Sequence, residues 1–127
     1  MKTTIVVMTL ILSTGAFALT PTTKTAVQST MKTYVNSLVK QNGFMPVLFE
    51  GKVLKLKLKK TDKYPDGFHA GVKDNASLYT SCADFQDASG KKNDIDFLVS
   101  KTGSSFSVVQ PIVHSINGEK NQYDLAH

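Results

Sequence analysis

The sequence predicts an α+β domain, with one N-terminal helix packed on a four-stranded antiparallel sheet. Three observations carry this. Residues 22–41 space their apolar side chains with the period of a helix. Residues 52–60 alternate leucine with lysine at period two, the signature of a strand with one dry face and one wet face. The rest of the chain is a series of strand-length apolar runs separated by Asp, Ser, Asn and Gly.

The first 18 residues read as a cleavable secretory leader and stand outside the fold. Lys2 supplies a positive start, residues 4–12 form a short apolar run, and Ala16-Phe17-Ala18 places small residues at the cleavage site. That apolar run falls well short of the roughly 20 residues that span a bilayer. Residues 19–127 then form a single domain, and no segment within them is apolar enough to cross a membrane. An exported chain is expected, periplasmic or extracellular in a bacterium.

Within the domain, Val27, Met31, Tyr34, Val35, Leu38 and Val39 make one apolar helix stripe, with Pro21 and Thr22 at its start and Gly43 at its stop. Residues 46–60 read as the first strand, with Leu54, Leu56 and Leu58 facing inward and Lys55, Lys57 and Lys59 facing outward. Residues 61–76 carry turn chemistry throughout and read as a long loop. Three further strands follow at 78–85, 94–100 and 106–116, and the tail 119–127 reads as loose.

This element order resembles the cystatin-like arrangement, in which a curved antiparallel sheet wraps a single long helix. The segments Tyr79-Thr-Ser-Cys-Ala-Asp-Phe85, Asp94-Ile-Asp-Phe97 and Val108-Val-Gln-Pro-Ile-Val-His114 also resemble those of small exported bacterial proteins of unknown function. The chain lacks a glycine-containing hairpin of the Gln-x-Val-x-Gly kind, so the resemblance does not imply protease inhibition.

Composition narrows the function. The chain carries 15 basic residues against 10 acidic ones, a formal net charge of +5, and every basic residue is lysine. Arginine's planar donor fork is the usual reader of phosphate and base edges, so specific nucleic-acid binding is not expected. Cys82 is the one cysteine, which excludes an intramolecular disulfide.

Period two sorts the strand residues that carry chemistry. Tyr79, Ala83 and Phe85 share the core face with Ile95, Phe97 and Val99, which leaves Cys82, Asp84, Asp94 and Asp96 on the opposite face. A hairpin pairing Phe85 with Ile95 would set Asp84 opposite Asp96. Two facing carboxylates need a metal ion, a shared proton or a lysine between them. A Lys–Asp ladder of Lys55, Lys57 and Lys59 against Asp84 is the plainest expectation. The sharper one is a transition-metal site of Cys82, Asp84, Asp96 and His114, suited to zinc or copper, with His69 in the loop as a further ligand. Simple alternation from Phe106 puts His114 on the core face, and a bulge near Pro111 would turn it outward. The lysine stripe, read functionally, would meet a protein partner or an anionic envelope component such as lipopolysaccharide. The leading functional expectation is therefore a non-enzymatic binding or interaction module. A metal-binding or thiol-active envelope protein is the second reading, and a small cone-shaped α+β enzyme the third.

Overall fold

The computed structural model describes residues 19–75 and 78–123. The leader expected at residues 1–18 lies outside the described residues. The architecture is α+β: helix α1 (Pro21–Asn42) covers one face of an antiparallel sheet of strands β1 (Met45–Phe49), β2 (Lys52–Leu58), β3 (Phe68–Asn75), β4 (Leu78–Gln86), β5 (Lys92–Thr102), β6 (Ser105–Ile116) and β7 (Glu119–Lys120). The sheet runs in the order β1-β2-β4-β5-β6-β7, and β3 shares the β2 edge of β4. Among the described residues no helix is long and apolar enough to cross a membrane.

Local chemistry sets the helix ends. Thr20 caps the start by accepting the Thr23 N–H through its hydroxyl, and Pro21 occupies the first turn, where its missing N–H costs nothing. Gly43 ends the helix at φ 82°, donating its N–H to the Val39 carbonyl. Val27, Met31 and Val35 are fully buried, and Met31 and Val35 join Met45, Val47, Leu56, Phe68, Ala83, Phe85, Ile95, Phe97 and Val113 in one core cluster. Tyr34 meets Phe97 edge to face at 6.1 Å, and Phe85 packs on Phe97 at the same distance.

Among the described residues the sheet has seven strands where four were expected, for three local reasons. Glu50 and Gly51, both at positive φ, form a two-residue hairpin turn, so the single strand expected at 46–60 is two strands. The long loop expected at 61–76 contains β3, an edge strand pairing with β4 through a register shift between Phe68 and Val72. Asn117 and Gly118, also at positive φ, reverse the chain so that Glu119 and Lys120 pair with Ile116 and Ser115 instead of trailing as a loose tail. Asn117-Gly118 is legible in the sequence as the stop of the last strand, whereas Glu50-Gly51 sits inside a run that strand alternation dominates.

The β4–β5 register differs by two residues from the one expected. Asp84 is opposite Asp94, Cys82 is opposite Asp96, and Phe85 is opposite Asn93. Residues 87–91 close this hairpin as a self-bonded loop. Asp87 Oδ1 accepts from the Ser89 N–H, the Ser89 hydroxyl and the Lys91 N–H, and the Asp87 N–H donates to the Lys91 carbonyl. Those bonds fix where the ladder starts, at Gln86 and Lys92.

Candidate functional site

Alternation places the apolar residues of β4 and β5 beneath the helix and leaves Cys82, Asp84, Asp94 and Asp96 on the outer face. Two strands complete that face. From β3, Phe68 enters the core beside Ala83, so His69 turns outward beside Asp84. From β6, two register shifts against β5 leave Val109 and His114 as extra residues. The shift at Val109 reverses the alternation, so Val113 faces the core opposite Ile95 and His114 faces outward. The bulge that frees His114 thus lies two residues before Pro111.

Asp96 is the hub of one half of the site. It is 2 % exposed, and a buried carboxylate needs donors. The Cys82 thiol donates to Oδ1 at 2.8 Å, and His114 Nδ1–H and the Tyr123 hydroxyl both donate to Oδ2, the former at 2.9 Å. Asp84 anchors the other half. It is 1 % exposed and accepts from His69 Nε2–H at 2.9 Å, with the Lys92 ammonium 3.7 Å away. A carboxylate oxygen only accepts, so His69 carries a hydrogen on Nε2, and the neutral ring in that tautomer has its lone pair on Nδ1. Tyr64 stacks on the His69 ring at 4.1 Å and holds its plane, and Gln28 of the helix bonds the His69 carbonyl.

Between the halves lies Asp94. Its Oδ1 is buried and has no hydrogen-bond partner among the described residues. Burial raises its pKa above the ordinary 3.8; His69 and His114 pull it back and Asp96 and Asp84 add to the rise. Burial likewise pushes the Cys82 thiol well above its ordinary range, reinforced by its hydrogen bond to Asp96 and by the Asp96 and Asp94 charges. One nitrogen of His69, Cys82 Sγ and one oxygen of Asp94 lie within 4.8 Å of one another. Tyr64, His69, Gly71, Lys73, Thr80, Cys82, Asp96 and His114 line the adjoining cavity of about 190 Å³.

The structure therefore brings Cys82, Asp84, Asp96 and His114 onto one face, as the metal reading required, but divides them. Asp84 serves His69, and His114 serves Asp96. The ladder of Lys55, Lys57 and Lys59 against Asp84 does not form among the described residues. β2 touches β4 only at Lys57–Gln86 and Leu58–Phe85, and Lys59 reaches Asp84 through a backbone bond, its N–H donating to the Asp84 carbonyl. Lys55 instead lies over the Phe44 ring at 5.3 Å, beside a separate cavity shared with Lys57, Gln86, Asp87 and Ala88. Sequence reasoning gave Asp94 no role in the site and reached Tyr64, Lys73 and Tyr123 not at all. Asp94 was legible from alternation, since it shares a face with Asp96; the others depend on β3 and on the path after β7. The chain matches no protein-family model, no curated protein and no solved structure.

Proposed function

We propose that this chain is an exported, non-enzymatic binding protein whose small ligand seats in the pocket on the outer face of the sheet. The observation that carries this is Asp94 Oδ1. Asp84 Oδ1 and both oxygens of Asp96 accept from donors, whereas this buried acceptor has none among the described residues. An unmet buried acceptor costs on the order of 1–3 kcal/mol, and one whose close neighbours His69 and Cys82 line a cavity is accounted for by a ligand that supplies the missing partner.

A binding role is favoured over a catalytic one by the state of the thiol. Cys82 gives its hydrogen to Asp96, whose charge opposes thiolate formation, and His114 is engaged at the far oxygen of the same carboxylate. A nucleophilic cysteine needs the opposite environment, with positive charge or a base at the sulfur. Export rests on the leader pattern of Lys2, the apolar run and Ala16-Phe17-Ala18.

The test is native mass spectrometry of the full chain expressed in a bacterium, recovered from the periplasm or medium without chelator, beside a denatured spectrum. A chain beginning at Leu19 and carrying excess native mass, absent from Asp94→Ala, is the expected result. A bare mass together with rapid alkylation of Cys82 would overturn the reading and favour a thiol-active protein.

A further inference from the structure

We infer that the ligand is a single divalent transition-metal ion, of which Zn²⁺ is the type, held by His69, Cys82 and Asp94. This rests on the binding role proposed for the same pocket and names the ligand's chemical class.

The donor set is the first argument. Imidazole nitrogen, thiol sulfur and carboxylate oxygen together suit borderline ions such as Zn²⁺, whereas Mg²⁺ and Ca²⁺ take oxygen donors. The three donors project from adjacent strands, β3, β4 and β5, so the sheet itself fixes their spacing. They lie within 4.8 Å of one another. Donors around a tetrahedral ion with bonds of about 2.0–2.3 Å stand roughly 3.3–3.8 Å apart, so the three side chains close on the ion by a modest inward adjustment.

The surroundings are the second argument. His69 gives Nε2–H to buried Asp84, which leaves Nδ1 as the ligating nitrogen. A carboxylate behind a histidine is the partner that metal-bound imidazoles ordinarily have, since it fixes the ring and raises its basicity. Asp94 Oδ1 is buried and has no partner among the described residues, so an ion bound at that oxygen replaces no existing bond. Three protein donors leave a fourth tetrahedral position open, and the cavity that His69 and Cys82 line, at about 190 Å³, is smaller than the roughly 300–1,000 Å³ of pockets that hold organic ligands.

Charge is the third. Asp84, Asp94 and Asp96 outnumber the two ammoniums at the site, Lys73 lining the cavity and Lys92 beside Asp84. On binding, the Cys82 S–H bond breaks, its proton passes to water, and sulfur and Asp94 oxygen each bring one negative charge to the dication. No oxidant or reductant is required.

The experiment adds Zn²⁺, and separately Co²⁺, to the full chain after chelator treatment and desalting. One ion per chain by native mass spectrometry is expected, with a thiolate-to-cobalt charge-transfer band in the near ultraviolet. Cys82→Ser abolishes the band; His69→Gln and Asp94→Asn weaken binding, and Asp84→Asn weakens it about 10–100-fold, as loss of a partner behind a ligand does. Lys55→Gln, remote from the site, keeps wild-type affinity. Absence of a metal adduct, or affinity unchanged in all three ligand variants, overturns the assignment. If the chain takes no metal yet carries an organic mass lost in Asp94→Ala, the metal falls and the binding role stands. If it carries neither, both fall.

Discussion

Cys82 and Asp96 are direct partners across the β4–β5 ladder, and the thiol donates its hydrogen to Asp96 Oδ1 at 2.8 Å. The pair places the only thiol of the chain against a buried carboxylate, so sulfur and oxygen cannot both ionise without a cation between them.

This relationship predicts a sluggish thiol. Burial and the Asp96 charge hold Cys82 protonated, so iodoacetamide at pH 8 should modify it at least about tenfold more slowly than a free thiol, the factor that one pKa unit carries. Asp96→Asn removes the opposing charge and should raise the rate. Intact-mass time courses on both proteins make the comparison, and equal rates would show that Asp96 does not govern the sulfur.

Two carboxylates on one face, two residues apart, should respond to substitution with opposite sign. Asp96→Ala removes the acceptor of Cys82, His114 and Tyr123 and should cost about 3 kcal/mol in urea unfolding. Asp94→Asn removes a charge that burial disfavours and should stabilise the fold by about 1 kcal/mol at pH 7, a figure kept small because the group is partly solvated. The pH dependence follows from the same group. Its folded pKa is raised, so between the ordinary 3.8 and the raised value the folded chain holds a proton that the unfolded chain has lost. Asp94 therefore makes stability fall as pH rises through that window, and Asp94→Asn should flatten the profile there. A destabilising Asp94→Asn would mean that its charge is already compensated.

What the sequence disclosed, and what it hid, divides by the range of the interaction. The helix, its ends and the division of β4 and β5 into dry and wet faces are local periodicities, and they read directly from Val27, Met31 and Val35 and from Phe85, Ile95 and Phe97. The β4–β5 register depends on hydrogen bonds inside the 87–91 loop, which alternation does not encode. His114 shows the same limit. Its position follows from one extra residue at Val109, and a single inserted residue inverts every side chain beyond it. His69 was hidden more deeply, because β3 is a bulged edge strand containing Gly71 and Asp74 that draws its strand character from pairing with β4. Of the three residues of the inferred metal site, His69 thus lay on an element whose geometry is nonlocal, while Cys82 and Asp94 lay on strands that alternation reads.

Gly67 controls the entry to β3. It sits at φ 88°, its carbonyl accepts the Asp84 N–H at 2.8 Å, and a Cβ there would stand 3.1 Å from Leu58 Cδ2 and 3.3 Å from the Lys59 carbonyl oxygen. Gly67→Ala combines a left-handed backbone with a tight contact and should cost about 1–3 kcal/mol. The damage should also reach the site, since His69 follows two residues later on the same strand. Faster hydrogen exchange at the Asp84 amide, read beside the urea midpoint, would register both effects. An unchanged midpoint would show that the β2–β3 approach has slack.

The β1–β2 hairpin offers the opposite experiment, a stabilising change remote from the site. Glu50 occupies the first turn position at φ 51° and Gly51 the second at φ 77°, the pattern that Asn-Gly fills with least strain. Glutamate has no local hydrogen bond to favour the left-handed region, whereas asparagine tolerates it. Glu50→Asn should therefore raise stability by about 0.5–1 kcal/mol, visible as a higher Tm. Because the turn joins Phe49 to Lys52 at the far end of β1 and β2, metal affinity and Cys82 alkylation should stay at wild-type values. A lower Tm would mean that the Glu50 side chain supports the hairpin by a contact that outweighs its backbone strain.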